Sequence, residues 1–186
     1  ERLTAVWSAG SNHALVASGQ RLLLRFDGQT WRRERMELPD GVESVVAADL
    51  HGTAEDDIWL AGCEMLHFDG DSWSLSETEV DGPYTRVWAA TPNEAYALTE
   101  TKTLLRWNGE SWHILSIPGA DGVYWADVGG SGPTDVHLVG DDVCAHFDGT
   151  SWRSILKESP DKPRILWAES SERLAVSSGI DAGTLY

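Results

Sequence analysis

Apolar positions along this chain fall in short runs that stop at glycine, and the runs recur. In the first forty residues, Leu3–Ala9 is apolar-rich and breaks at Gly10-Ser11-Asn12. Ala14–Ser18 alternates weakly up to Gly19-Gln20, Leu22–Phe26 is apolar, and Trp31–Met36 leaves as a polar strand before Pro39-Asp40-Gly41. No stretch carries the three-and-four apolar spacing of an amphipathic helix. Short runs bounded by turn residues read as strands, four to a unit.

The unit repeats. Phe26-Asp27-Gly28-Gln29-Thr30-Trp31 returns as Phe68-Asp69-Gly70-Asp71-Ser72-Trp73, Trp107-Asn108-Gly109-Glu110-Ser111-Trp112 and Phe147-Asp148-Gly149-Thr150-Ser151-Trp152, with the glycines 42, 39 and 40 residues apart. Asp40-Gly41, Asp81-Gly82, Asp121-Gly122 and Asp161-Lys162 keep the same step, as do Val6-Trp7, Asp49-Leu50, Val87-Trp88, Asp127-Val128 and Leu166-Trp167. Four strands at a period of about 40 residues are the spacing of a β-propeller blade. A β-sandwich does not require identical hairpins at a fixed period. The expectation is an all-β propeller with blades at 3–41, 42–82, 83–122 and 123–162 and an incomplete fifth at 163–186. Tyr186 aligns with Phe26, one residue short of the next Asp-Gly turn. The chain therefore reads as five-bladed or as a segment of a larger propeller, the segment being favoured. An incomplete blade leaves unpaired backbone groups and a bare lateral face, so self-association through the fifth blade is expected of a segment.

Each Asp-Gly pair predicts a tight primed turn. Arg25, His67, Arg106 and His146 stand two residues before Asp27, Asp69, Asn108 and Asp148, hence on the same strand face. That spacing predicts a donor–acceptor corner in every blade, covered by Trp31, Trp73, Trp112 and Trp152. A ligand site would not be copied into each blade, so His67 and His146 are not read as metal ligands. Trp7, Trp88 and Trp167 begin blades and are expected to pack between neighbours, with Leu50 and Val128 in the corresponding slot of units two and four.

On these residues the chain resembles the Trp-rich propeller repeats of secreted and surface proteins of myxobacteria and related bacteria. Their consensus runs Val-Trp-Gly-Ser-x-Pro-x-Asp-Val-Trp-Ala-Val-Gly and then His-Trp-Asp-Gly-x-x-Trp. Thr91-Pro92-Asn93-Glu94-Ala95-Tyr96-Ala97, Gly132-Pro133-Thr134-Asp135-Val136-His137 and Asp57-Ile58-Trp59-Leu60-Ala61-Gly62 match its first half. The hairpin is also similar to the Asp-box of sialidase-like propellers, without that motif's extra residue between Asp and Gly. The resemblance implies a scaffold fold and an extracellular or cell-surface setting; it implies no particular activity.

Charge narrows the partners. The 186 residues carry 14 Lys and Arg against 30 Asp and Glu, a net charge of −16, which repels phosphate backbones and anionic lipid. No apolar run is long enough to span a bilayer, so neither nucleic acid nor membrane insertion is expected. Cys63 and Cys144 form no Cys-x-x-Cys motif and read as core residues. Glu55-Asp56-Asp57 and Asp141-Asp142 offer oxygens to Ca²⁺, but neither has calcium-loop spacing; no cofactor or metal is expected.

Catalytic signals are absent. Arg21, Arg25, Arg32, Arg33 and Arg35 crowd unit one, Tyr84, Tyr96, Tyr124 and Tyr186 are scattered, and no phosphate loop is present. For binding, Tyr124 and Trp125 suggest an exposed aromatic platform. Asp56 and Asp57 lie in Leu50–Asp57, which with Gly129–Asp135 reads as a unit-breaking insertion. The function expected is non-enzymatic: a scaffold presenting loops to a protein or glycan partner, within a larger exported or surface protein. The alternatives are a hydrolase or lyase, marked by convergent His, Arg or carboxylate groups at the central funnel, and a purely architectural domain.

Overall fold

A computed structural model describes residues 2–19, 21–101, 103–140, 143–157, 163–170 and 173–178. Among these residues the regular structure is all strand, and no helix is long and apolar enough to cross a membrane. The first blade is β1 (Leu3–Ser8), β2 (Ala14–Ser18), β3 (Leu22–Phe26) and β4 (Trp31–Arg35). The second is β5 (Ala47–Ala54), β6 (Asp57–Gly62), β7 (Met65–Phe68) and β8 (Trp73–Leu75). The third is β9 (Tyr84–Thr91), β10 (Glu94–Thr99), β11 (Leu104–Trp107) and β12 (Trp112–Ile114). The fourth is β13 (Trp125–Gly132), β14 (Asp135–Gly140), β15 (Val143–Phe147) and β16 (Trp152–Lys157). Each is an antiparallel sheet in chain order, and β17 (Pro163–Ser170) and β18 (Arg173–Ser178) pair as the start of a fifth. The third strand expected of that fifth blade lies outside the described residues.

First strands neighbour one another in the series β1, β5, β9, β13, β17, so apolar cores form between blades. Leu15, Ala17 and Leu23 meet Leu50, Leu60 and Trp73 in one core. Trp59 and Met65 meet Ala95, Leu105 and Trp112 in the next, and Tyr96 and Leu98 meet Val136 and Leu138 in a third. The second strand of a blade is covered on both faces. In β6, Ile58 and Leu60 turn toward the first blade while Trp59 and Ala61 turn toward the third, which is why Ile58–Gly62 lacks the polar alternation of a half-exposed strand.

Pairing register corrects three sequence expectations. Trp7 pairs Leu15, His51 pairs Trp59, Trp88 pairs Tyr96 and Gly129 pairs His137. His51 and Gly129, not Leu50 and Val128, therefore stand in the Trp slot of blades two and four. Beside that slot, a Cβ on Gly52 would clash with the Asp57 carbonyl oxygen and lie 3.1 Å from the Trp7 ring. One on Gly130 would clash with the Asp135 carbonyl oxygen and lie 2.9 Å from the Trp88 ring, so the paired strand and the neighbouring ring both require glycine there. The odd blades supply a large ring, and the even blades supply the glycine beneath it.

Leu50–Asp57 and Gly129–Asp135 are not insertions. Both are strand, tight turn and strand, built as in Thr91–Glu94 of the third blade. The Asp-Gly hairpin is a four-residue loop rather than a two-residue turn: Phe26 pairs Trp31 across it, and the Asp27 N–H donates to the Thr30 carbonyl. Only the glycine adopts positive φ (+89° at Gly28, +97° at Gly70), because the aspartate is held by its side chain instead.

Candidate functional site

Equivalent positions on the first strands carry Ala5, Asp49, Arg86 and Asp127. They line an axial cleft of about 560 Å³, with Val6, Trp7, Ala48 and Trp88 among the other walls. Asp49 Oδ2 accepts the Val87 N–H of the next blade at 3.1 Å, and Oδ1 accepts the Leu50 N–H at 3.0 Å. Asp127 repeats this two blades on, taking the Leu166 N–H at 2.9 Å and the Val128 N–H at 3.0 Å. Arg86 Nε reaches Asp127 Oδ1 at 3.3 Å. His51 Nδ1 accepts the Ala89 N–H at 3.1 Å.

Burial sets the protonation of these groups. It pushes Asp49 up to about 6, against the hydrogen bonds and Arg86, and raises Asp127 for the same reason. It lowers His51 to about 4, consistent with a neutral ring whose Nδ1 is an acceptor. Carboxylates, an arginine and a histidine thus converge at the funnel, the mark set for an enzyme. Yet both carboxylates and the His51 Nδ1 are engaged by backbone N–H groups, as latches between blades. Asp49 and Asp127 stand in the repeat markers of the sequence, but without the register their side chains have no assigned partner.

At the outer end of each blade lies the repeated corner, with a different wiring from that expected. The base on the third strand pairs with an acid at the start of the second, not with the acid of the turn. His67 Nε2 meets Asp57 Oδ1 at 2.6 Å, Asp57 also accepts from the Thr53 hydroxyl, and Trp59 packs on the His67 ring at 4.2 Å. Arg106 meets Glu94 at 3.0 Å, and the Tyr96 hydroxyl donates to Glu94 at 2.6 Å. His13 occupies the acid position in the first blade, so Arg25 pairs with Glu34 at 3.2 Å and lies over the Phe68 ring.

The turn residues serve their own loops. Oδ1 of Asp27, Asp69, Asn108 and Asp148 accepts the backbone N–H groups two and three residues on, at 2.9–3.1 Å. Those N–H groups hold Asp27, Asp69 and Asp148 below the usual carboxylate range. Trp73 and Trp112 are buried, Trp152 is half-buried, and Trp31 is exposed. Trp112 packs edge-on against Trp59 of the preceding blade at 5.1 Å and donates Nε1–H to Ser76 Oγ at 3.1 Å. The hairpin Trp therefore covers the blade before its own, and the first blade has none described before it.

In the fourth blade a second-strand residue again joins the corner, His137 in the place of Tyr96. Asp135 Oδ1 takes His146 Nε2 at 2.8 Å and His137 Nε2 at 3.1 Å, while Oδ2 accepts from the Ser131 hydroxyl. The two imidazoles stack at 4.4 Å with 18° between planes. Burial opposes the Asp135 charge, but hydrogen bonds from Ser131 and His146 keep its pKa below the usual value. Burial and the neighbouring His146 lower His137.

The residues proposed for binding do not assemble. Trp125 is buried with Tyr96 and Val128 in the core between blades three and four, so no exposed platform exists there; Tyr124 beside it is half-buried. Asp57 is committed to His67 and Thr53. Asp56 is exposed and lines a shallow crevice with Arg25, Glu55 and Phe68. Asp141 and Asp142 lie outside the described residues. Cys144 is buried, but Cys63 is exposed at the β6–β7 turn rather than in the core; both are free thiols.

No family model and no curated protein matches this chain. Solved structures do. It is similar to YCF48 bound to D1 peptide, at 14% identity and TM-score 0.52, covering 94% of this chain and 89% of that one. Similarity to the Swd1 β-propeller domain of Myceliophteria thermophila reaches TM-score 0.72 at 12% identity, covering 95% and 62%. A catalytically inactive virginiamycin B lyase from Staphylococcus aureus, with quinupristin, gives TM-score 0.73 at 10% identity, covering 95% and 63%. The chain thus spans less than two thirds of the latter two structures. At these identities the likeness establishes architecture: the chain folds as a β-propeller.

Proposed function

We propose that this propeller is a non-enzymatic binding module whose axial cleft receives an extended, basic segment of a protein partner. The observation that carries the reading is the cleft itself, with the two acids Asp49 and Asp127 against the one cation Arg86, apolar at Val6 and Trp88, and of a size suited to a few side chains. A chain of net charge −16 attracts cationic segments from a distance. YCF48 with its D1 peptide is a propeller bound to a peptide, an analogy of fold and no more. A protein partner is favoured over a glycan because Trp125 is buried.

The test is fluorescence polarisation with labelled Lys/Arg-rich and Asp/Glu-rich decapeptides. Saturable binding of the basic set, weakening with salt, is expected, with a loss of at least about tenfold in Ala48→Lys, which adds a cation to the cleft wall beside Asp49 without removing any latch group. Absent binding, or binding indifferent to Ala48→Lys, overturns the proposal.

A hydrolase or lyase is the second reading, favoured by the raised Asp49 beside Arg86 and Asp127. A screen giving turnover that is lost in His51→Gln would select it. Self-association, expected through the fifth blade, has a further surface in the first, where Leu3, Val6 and Trp31 are exposed; sedimentation showing a monomer at all concentrations would remove it.

A further inference from the structure

We propose that Asp135, His137 and His146 bind a divalent cation of the zinc class, a site independent of the peptide cleft. The blade corner alone accounts for Asp135 with His146, since Asp57 with His67 and Glu94 with Arg106 stand at the same places. It does not account for His137. That position carries Leu15, Trp59 and Tyr96 in the other blades, each buried, and of these Tyr96 reaches the corner acid through a hydroxyl rather than a ring nitrogen. The fourth blade keeps the stacking over the third-strand base but substitutes a ring that carries nitrogen.

The geometry suits an ion. His137 Nε2, His146 Nε2 and an Asp135 oxygen all lie within 4.8 Å of one another, with both nitrogens aimed at Oδ1 from 3.1 and 2.8 Å. Ligand atoms around four-coordinate zinc, each about 2.0–2.1 Å from the metal, lie about 3.3 Å apart. Admitting the ion therefore lengthens the two nitrogen–oxygen separations by only a few tenths of an ångström. Two imidazoles and a carboxylate suit zinc and its neighbours, whereas Ca²⁺ takes more ligands, all oxygen. Ser131 holds the second carboxylate oxygen, the kind of outer contact that orients a ligand. Asp135 and His137 are buried, and His146 is partly exposed, which leaves a route in.

His137 Nδ1 is buried without a partner. Whichever nitrogen carries the proton, that atom is unsatisfied. Moving the proton from Nε2 to Nδ1 forfeits only the hydrogen bond to Asp135, which the ion replaces.

The test titrates the chelator-stripped full chain with ZnCl₂ by calorimetry, with expected binding of one ion per chain. His137→Tyr and His146→Arg each install a residue that a sister blade carries at that place, so folding is expected to survive. Zinc affinity is expected to fall by at least about a hundredfold, more than the loss of an outer contact costs. In the unmodified chain, zinc should shift the ring resonances of His137 and His146 and leave those of His13, His51, His67 and His113 in place, a readout that needs no variant. Failure to bind zinc saturably, binding that both variants retain, or shifts confined to the other histidines would each overturn the proposal.

Discussion

Trp112 and Trp31 close the same hairpin in the third and first blades, yet Trp112 is 1% exposed and Trp31 is 53% exposed. The contrast continues at the axis. Val87 is 3% exposed and its N–H is held by Asp49 of the second blade; Val6, its counterpart, is 67% exposed. Equivalent repeat positions thus have opposite burial, because the hairpin Trp and the first-strand valine are completed by the blade before. A blade of this kind is not a self-sufficient unit, and most of what its motif stabilises lies in its neighbour.

The largest consequence concerns Trp112. Trp112→Ala removes a buried indole from the Trp59 contact and leaves Ser76 unpaired, and should cost about 3–5 kcal/mol of unfolding free energy in urea denaturation. A loss under about 1 kcal/mol would mean that blades two and three do not share a core.

Acidification probes the inner latch of the same joint. In the unfolded chain a histidine titrates near 6.5, above the value of about 4 for buried His51. The unfolded chain then takes up the proton first, and stability falls as pH drops from about 6.5 to about 4. Asp49 acts in the opposite sense: raised to about 6 from about 3.9 unfolded, it is protonated first in the folded state and offsets part of that loss. His51→Gln keeps an acceptor for the Ala89 N–H and removes only the first effect. Measured at pH 4 to 7, the variant should therefore gain relative to the parent as the medium becomes acid; parallel curves would show that His51 is not held neutral.

The smallest effect is expected at the open face. Trp31→Ala should change stability by no more than about 0.5 kcal/mol, as for an ordinary surface substitution. A loss comparable to that of Trp112→Ala would show that the first blade's face is covered in solution, and would sharpen the case for self-association.

Much of the fold is legible in the sequence because it rests on local signals. Strand edges at Ala14–Ser18 and Leu22–Phe26, the glycine of each hairpin and the repeat step all follow from turn chemistry and period. The wiring is not legible in the same way. His67 stands two residues from Asp69 and ten from Asp57, and strand periodicity favours the nearer acid; the actual choice depends on cross-strand register and on Asp69 being consumed by its own loop. The Trp slot failed for a related reason. His51 does not look like a stand-in for tryptophan until pairing with Trp59 fixes its position. His137 was hidden because a lone histidine in a repeat reads as packing, and its relation to Asp135 and His146 exists only across two strands.

Trp7 and Trp88 sit over Gly52 and Gly130, and Asp49 and Asp127 each take a backbone N–H of the next blade, which Ala5 and Arg86, having no side-chain acceptor, cannot do. Ring and hollow, latch and blank, therefore alternate from sheet to sheet. The modular quantum of this molecule is a pair. Excising the second module alone would set the Trp7 ring against Ala89, the residue in the place of Gly52, whereas losing two modules together would return that ring to a glycine, Gly130.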